Sequence, residues 1–169
     1  MDALANAISE RVGFFDDAFA IDEYDPARPL QIGPLAVTFV RGRHYVPAWG
    51  LAIVAPDGSR LVYTGDTGPS ESVTEFARGA DLLLVEAALR LSSHDDPERG
   101  HLTAEEAIDL ATRARARSAR IVHYPPSRRG ELERLCEPSG AWIRPAVPGL
   151  TMTVRPAEPA GDQEMVSTG

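Results

Sequence analysis

A continuous apolar run at residues 82–85, Leu-Leu-Leu-Val, constrains the fold of this 169-residue chain more than any other feature. The run lies between Asp81 and Glu86. A short aliphatic run bounded by charges is typical of a strand that is covered on both faces. Strand-like and helix-like segments then alternate from residue 60 onward. The sequence therefore predicts an α/β fold whose sheet is covered by helices on at least one face.

Further strands are predicted from short apolar runs that are bounded by turn residues. They occupy residues 35–40, 50–54, 61–64, 119–123, 142–143 and 150–154, with a short strand near Phe19 and Ile21. The sequence Pro-Asp-Gly at 56–58 is typical of a tight turn. The two strands that flank this turn are therefore expected to form a hairpin.

Capping residues predict where the helices begin. Ser70 begins a helix that extends to residue 78 and ends at Gly79. Thr103 and Glu106 form a capping box for a helix that reaches about residue 116. Two further helical segments are expected, at residues 2–12 and 131–136.

These segments divide the chain into one domain and a tail. The domain covers residues 1–155, with a helix and polar connector at 1–33 and a core of sheet and helices at 34–155. Residues 156–169 are polar and lack apolar periodicity, so we expect a disordered tail. The composition, 43% hydrophobic and 25% charged, is that of a globular protein.

The charge balance, the apolar segments and the cysteine count indicate which ligands and which cellular compartment the sequence favours. The chain has 17 basic and 25 acidic side chains and a net charge of −8, which disfavours generic DNA binding. No apolar segment is long enough to span a membrane, and the first residues lack the pattern of a secretion signal. The single cysteine, Cys136, can form no internal disulfide, which is typical of a reducing compartment. We therefore expect a cytoplasmic protein with no membrane partner.

Polar residues follow three of the predicted strands. Asp66, Glu86 and His123 each come at the carboxyl end of a strand, the edge where open α/β sheets place their sites. Together with His44, which follows the strand at 35–40, Asp66 and His123 form an oxygen and nitrogen ligand set suited to zinc, manganese or iron. The alternative is structural: each histidine is satisfied by hydrogen bonds, and Asp66 is an ordinary turn residue.

Five short blocks carry a more specific pattern. They read Arg-His-Tyr-Val-Pro-Ala-Trp-Gly-Leu at 43–51, Tyr-Thr-Gly-Asp-Thr-Gly-Pro-Ser at 63–70, Val-Glu-Ala at 85–87, Gly-His-Leu-Thr-Ala-Glu-Glu-Ala at 100–107 and Val-His-Tyr-Pro-Pro at 122–126. In this order they resemble the metallo-β-lactamase fold over residues 30–155. The third and fourth blocks resemble a pair found in its ribonuclease Z-like phosphodiesterase branch. The resemblance implies part of an αββα sandwich and a metal-dependent hydrolase.

The resemblance also implies a role for each matching residue. His44 is a ligand of one metal ion, Asp66 bridges two ions, and His123 is a ligand of the second. The implied ions are Zn²⁺, with Mn²⁺ or iron as alternatives, and they activate the water that hydrolyses a phosphodiester. Glu86 and His101 match the pair that relays a proton to the leaving group. The alternative for His101 is that it only caps the entrance of its helix.

Two arginines follow His123 in the chain. Arg128 and Arg129 are weaker candidates for contact with a substrate phosphate. The alternative is a solvated basic loop.

One motif that the resemblance implies is missing from the sequence. No histidine precedes His44, so the chain lacks the His-x-His-x-Asp-His motif of the amino-terminal half of the fold. Two ions shared among His44, Asp66 and His123 have at most two protein ligands each, whereas a catalytic zinc usually has about three. We therefore expect the carboxyl-terminal half of the fold, from a truncated gene or gene fragment, which binds metal weakly and is inactive on its own.

Other functions stay open at this point. A non-catalytic half-domain would complete its fold by dimerising or by pairing with an amino-terminal half, because the inner face of its sheet is exposed. An acid/base pair of Glu86 with Asp95 or Asp96 has only the number of carboxylates in its favour. The substrate of an intact enzyme is either a small phosphodiester, a cyclic phosphate or an RNA end.

Overall fold

The computed structural model of the chain describes residues 19–20, 22–91 and 99–157. Seven strands form one sheet, and they lie side by side in the order of the sequence. The strands are β1 (Leu30–Ile32), β2 (Leu35–Arg41), β3 (Trp49–Val54), β4 (Arg60–Tyr63), β5 (Leu82–Glu86), β6 (Ala119–Val122) and β7 (Ile143–Pro145). The described part of the chain has three α-helices, α1 (Glu71–Phe76), α2 (Ala104–Arg113) and α3 (Arg129–Cys136). The α/β fold predicted from the sequence is confirmed.

The direction of strand pairing changes at β4. Strands β1 to β4 pair antiparallel, and β4 to β7 pair parallel. The predicted hairpin is β3 and β4, closed by a hydrogen bond of 3.0 Å from Ala55 N to Ser59 O, with Gly58 at a φ of +84°. Parallel neighbours need crossover connections, and α1, α2 and α3 lie in these three connections. The carboxyl ends of β4, β5 and β6 therefore meet at one edge of the sheet.

The predicted caps position two of the helices. The side chain of Ser70 accepts a hydrogen bond from Val73 N at the start of α1. Thr103 and Glu106 form both bonds of the capping box at the start of α2, which ends before the expected residue 116. None of the helices in the described part of the chain is long and apolar enough to cross a membrane.

The hydrophobic core lies between one face of the sheet and the helices. Fully buried strand residues alternate along this face, namely Ala52, Val62, Leu83, Val85, Ala119, Ile121 and Ile143. The helices cover them with Val73 and Ala77 from the α1 region, Ala107, Leu110 and Ala111 from α2, and Leu132 and Cys136 from α3. Burial of each large aliphatic side chain contributes about 1.5–3 kcal/mol, so this face supplies most of the stability.

The other face of the sheet is less buried, although Val37 and Leu82 on it are each only 5% exposed. It carries Phe39, Leu51, Tyr63, Leu84 and Val122, which alternate with core residues along their strands and so project to the opposite side. We call these five residues the open face. Tyr24 stacks on Phe39 with ring centroids 4.5 Å apart, which covers one corner. The sequence predicts that one face of the sheet is exposed, and the partial burial of these five residues agrees with that prediction.

Two strand predictions were wrong. β1 was predicted as part of a polar connector, but Gly33 adopts a φ of +55° and joins Ile32 to Leu35 in a two-residue hairpin loop. Residues 150–154 form no strand: they follow a turn closed by Leu150 N and Val147 O at 3.1 Å, and no described strand pairs with them. An alternating pattern alone does not make a strand, because a strand also needs backbone hydrogen bonds to a neighbouring strand.

The predictions for the amino-terminal segment and for the tail fall mostly outside the described residues. Phe19 is exposed and lies outside any strand, whereas Ile21 lies outside the described residues. The expected helix at 2–12 also lies outside the described residues, as does most of the tail predicted at 156–169. The domain boundaries stay predictions.

Cys136 offers a direct check of the packing between α3 and the sheet. Its side chain is fully buried, and burial raises the pKa of its thiol. A raised pKa lowers the fraction of reactive thiolate, so we expect the native protein to react with a thiol reagent at pH 8 about a hundredfold more slowly than the protein in denaturant. Since Cys136 is the single cysteine, any label reports this residue. Equal rates in the two states would show that α3 is not packed as described.

Candidate metal and catalytic site

Four chemically active side chains converge at the carboxyl edge of the parallel strands. Asp66 follows β4, Glu86 ends β5, His123 follows β6, and His101 precedes α2. One ligand atom from each of these four residues lies within 4.8 Å of the others. The sheet edge predicted from the sequence therefore brings these residues together, although they are far apart in the chain.

Asp66 and His123 form the accessible part of this cluster. Asp66 Oδ1 lies 3.0 Å from His123 Nδ1, and the two side chains are 36% and 46% exposed. Gly65 has a φ of +62°, and a Cβ there would lie 2.5 Å from Trp49 O, so only glycine allows this turn. His123 has a φ of +53°, an unusual conformation for a residue with a Cβ. Both turns direct their side chains to the same edge of the sheet.

Glu86 is the buried part of the cluster. Its side chain is fully inaccessible, and its Oε1 accepts hydrogen bonds of 2.9 Å from Thr67 N and from His101 Nδ1. Its Oε2 accepts another from Ala88 N at 2.9 Å. With both oxygens occupied by protein donors, the carboxylate has little capacity left for a metal ion. Glu86 therefore orients the ring of His101 through Nδ1.

His101 stands between two other imidazole rings. Its ring centroid lies 4.9 Å from that of His44 and 5.4 Å from that of His123, both in edge-to-face arrangements. The ring is one-fifth exposed, so part of it can be reached from solvent. Since His101 is held by Glu86, the helix-capping alternative does not account for its position.

His44 is placed by close packing of two loops. Arg43 N donates to the buried Thr67 Oγ1 at 3.0 Å, which ties the loop after β2 to the turn that carries Asp66. A Cβ at Gly100 would lie 2.8 Å from His44 Cδ2. Glycine at this position therefore lets the ring of His44 approach that of His101.

The two candidate arginines have different surroundings. Arg128 is buried, and its Nη1 donates to Leu89 O at 2.7 Å, while Nη2 pairs with Glu131 at 3.3 Å. Arg129 is exposed, and its Nε donates to Glu133 Oε1 at 2.8 Å. Arg128 fixes the loop after β5, whereas Arg129 lies beside His123 at a surface cavity. Contact of either residue with a substrate stays a prediction.

A second cavity opens onto the cluster from the open face. It has a volume of about 400 Å³ and is lined by Tyr63, Asp66, Leu84, Val122 and His123. Burial raises the pKa of the Tyr63 hydroxyl, and the negative charges of Asp66 and Glu86 raise it further. Tyr63 and Thr67 were not predicted as site residues from the sequence. The alternation of β4 could have placed Tyr63 on the face of the sheet that leads to Asp66.

The sequence predictions for the site can now be compared with its geometry. The structure places His44, Asp66, Glu86, His101 and His123 around one sheet edge. Asp95 and Asp96, proposed as alternative partners of Glu86, lie outside the described residues. The metal and proton-relay roles of the five residues stay predictions.

Comparison with known proteins adds independent information. Residues 3–124 match the family model of the beta-lactamase superfamily domain. An uncharacterised protein of Mycobacterium leprae is 36% identical over 110 residues, which are 65% of this chain and 38% of that protein. Ribonuclease Z of Brevibacillus brevis is 35% identical over 105 residues, which are 56% of this chain and 32% of the enzyme.

One relative matches in both sequence and structure. A Bacillus subtilis protein named probable metallo-hydrolase YhfI is 34% identical over 103 residues, which are 60% of this chain and 41% of YhfI. The crystal structure of YhfI, a metallo-beta-lactamase fold protein, superposes with a TM-score of 0.66 and 26% identity over 75% of this chain and 53% of YhfI. The chain thus spans about two fifths of the length of the relatives that it matches in sequence.

Proposed function

Because the chain belongs to the beta-lactamase superfamily domain family, we propose that it supplies metal ligands and a proton relay to a metal-dependent hydrolase of phosphodiesters. The observation that carries this proposal is the contact of the buried Glu86 with His101 beside the Asp66 and His123 pair. A carboxylate that fixes one imidazole nitrogen leaves the other to exchange a proton with the substrate. Substrates of the proposed enzyme are small phosphodiesters or RNA ends, and its proposed location is the cytoplasm.

The donor atoms of Asp66, His123 and His44 fit a divalent metal. Asp66 offers a carboxylate, and His123 and His44 offer imidazoles, a mixed set that zinc accepts, with manganese or iron as alternatives. Asp66 and His123 are partly exposed, so an ion can reach them. A bound ion supplies Lewis-acid stabilisation of a phosphoryl oxygen and a source of hydroxide at neutral pH. We propose Asp66, His123 and His44 as its ligands, with Asp66 shared when two ions are present.

His101 and Glu86 form the proposed proton relay. His101, protonated on both ring nitrogens, donates the proton of Nε2 to the oxygen that leaves phosphorus as the P–O bond breaks, while Glu86 accepts a hydrogen bond from Nδ1 and so orients and stabilises the protonated ring. Hydrolysis ends with the leaving group protonated and the phosphoryl group carrying the oxygen of water. His101 is therefore the catalytic acid, and Glu86 is its positioning residue.

The proposed ligands of this chain do not complete two metal sites. Each ion would have at most two of the three proposed side chains, His44, Asp66 and His123, which is fewer than the three usual at a catalytic zinc. We therefore expect weak zinc binding and no turnover unless zinc is supplied in large excess. We propose that a separate amino-terminal portion of the fold provides the missing ligands in the intact enzyme.

The general-acid role of His101 can be tested with two substrates. His101→Ala should slow the hydrolysis of diphenyl phosphate about 10²–10⁴-fold, because phenolate is a poor leaving group that needs a proton. It should slow bis(4-nitrophenyl) phosphate less than about tenfold, because 4-nitrophenolate leaves without one. Rates are measured in saturating zinc, and zinc affinity is measured by dye competition.

The outcomes of this test distinguish a general-acid role of His101 from a role as a metal ligand. Unchanged zinc affinity with a large effect on diphenyl phosphate alone supports the relay. Equal slowing of both substrates, together with loss of zinc, would show that His101 is a metal ligand. Equal slowing with zinc retained would contradict the proton transfer.

The open face favours a second candidate, a non-catalytic half-domain that pairs with another polypeptide. Phe39, Leu51, Tyr63, Leu84 and Val122 form an apolar surface on which none of the described helices packs. Exposed apolar patches of this kind commonly mark interaction sites. A second copy of the chain or an amino-terminal half of the fold would cover it. A well-folded monomer in sedimentation experiments that shows metal-dependent turnover would reject this candidate.

A further inference from the structure

Another cavity lies beside His123, after the ends of β6 and β7. It has a volume of about 460 Å³, and His123 lies in its wall. The remaining wall residues are Val122, Tyr124, Pro126, Arg129, Ala146, Val147 and Pro148. We call this the Arg129 pocket. Its volume lies in the range of small-molecule sites.

The walls of the Arg129 pocket are apolar and held in place. The Tyr124 hydroxyl donates to Ala146 O, so the wall after β6 is tied to the wall after β7. The segment 147–150 forms a turn in which Pro148 is followed by Gly149 at a φ of +83°, the pattern of a type II turn. A pocket with walls fixed in this way binds a ligand with little further ordering.

The polar groups of the pocket are His123 and Arg129. The Tyr124 hydroxyl is already committed to Ala146 O. Arg129 binds Glu133 through Nε at 2.8 Å, which leaves its terminal nitrogens without an ion-pair partner among the described residues. A ligand here needs an apolar body and an anionic group.

We propose that the Arg129 pocket binds the apolar substituent of an organophosphate whose anionic group lies between His123 and Arg129. The substituent has the size of an aromatic ring. This inference rests on the proposed function, because it assigns the substrate class of the same site. Phosphate esters whose substituent is very small or strongly polar would leave the apolar walls of the pocket without a contact.

Binding of two phosphonates to the 169-residue chain tests the proposal. In EDTA, phenylphosphonate should bind at least about tenfold more tightly than methylphosphonate, because only the phenyl ring buries apolar surface in the pocket. The amide resonances of Ala146 and Val147 should shift with phenylphosphonate. Equal affinities of the two phosphonates would overturn the proposal.

Variants of Val147 in the pocket wall and of Arg129 provide a second test. Val147→Trp fills the pocket and Val147→Asn makes its wall polar, so both should remove the preference for phenylphosphonate and leave the affinity for methylphosphonate unchanged. Arg129→Gln should weaken both ligands, whereas Arg134→Gln on the exposed side of α3 should weaken neither. A preference retained in both Val147 variants would overturn the proposal.

The metal-free condition separates this inference from the proposed function. A preference for phenylphosphonate in a chain that shows no metal-dependent turnover even in a large excess of zinc supports the pocket and contradicts the hydrolase. Metal-dependent turnover without the preference contradicts the pocket alone.

Discussion

Replacement of Asp66 by alanine should remove zinc from the chain. Asp66 is the carboxylate of the proposed ligand set, and its Oδ1 lies 3.0 Å from His123 Nδ1. Its loss leaves imidazoles alone to hold the ion and removes the anion that offsets its charge. Since even a partner that only orients a ligand costs about 10–100-fold in metal affinity, we expect zinc affinity to fall by at least about a hundredfold. Metal-dependent turnover should fall below detection.

Asp57→Ala is a matched control for this variant. Asp57 is also an aspartate in a turn, where its Oδ1 accepts hydrogen bonds from the backbone and side chain of Ser59. These bonds lower the pKa of Asp57, so it is ionised at neutral pH as a metal ligand would be. Its turn joins β3 to β4 at the opposite end of β4 from Asp66, and its removal should leave zinc affinity unchanged. Zinc binding by Asp66→Ala at the wild-type affinity would refute the proposed ligand set.

The site was more predictable from the sequence than its surroundings were. Strand ends that carry Asp66, Glu86 and His123 could be recognised because parallel strands bring their carboxyl ends to one edge. The capping box of Thr103 and Glu106 gave the start of α2, and so the neighbourhood of His101. Local patterns therefore determined which residues meet.

The failures of prediction have a common physical cause. The two-residue loop at Gly33 depends on a positive φ that the sequence does not reveal, so β1 was missed. The alternating residues at 150–154 pair with none of the described strands, and strand pairing depends on the whole sheet. Arg128 and Arg129 are adjacent in sequence, yet one is buried against backbone carbonyls and the other is exposed at a cavity. Tertiary packing decides each of these cases.

The buried Glu86 should be the most costly polar side chain to replace. It accepts three hydrogen bonds, from Thr67 N, Ala88 N and His101 Nδ1, and is fully inaccessible to water. Glu86→Ala would leave these three donors without an acceptor and open a cavity. We expect the free energy of unfolding to fall by about 3–5 kcal/mol, as when one partner of a buried charged network is removed. Urea unfolding monitored by circular dichroism measures this change.

Glu86→Gln removes the negative charge of this side chain but keeps its shape. The amide keeps the volume of the side chain but has one acceptor oxygen, so its NH₂ group must face one of the three donors. We expect a smaller loss of about 1–3 kcal/mol, together with weaker orientation of the His101 ring and slower hydrolysis of diphenyl phosphate. Glu71→Gln is the control, because Glu71 is an exposed glutamate that pairs with Arg113, and its replacement should leave both stability and turnover unchanged. If Glu86→Gln were as stable and as active as the wild type, the carboxylate would not be holding His101, and the proposed relay would lose its positioning residue.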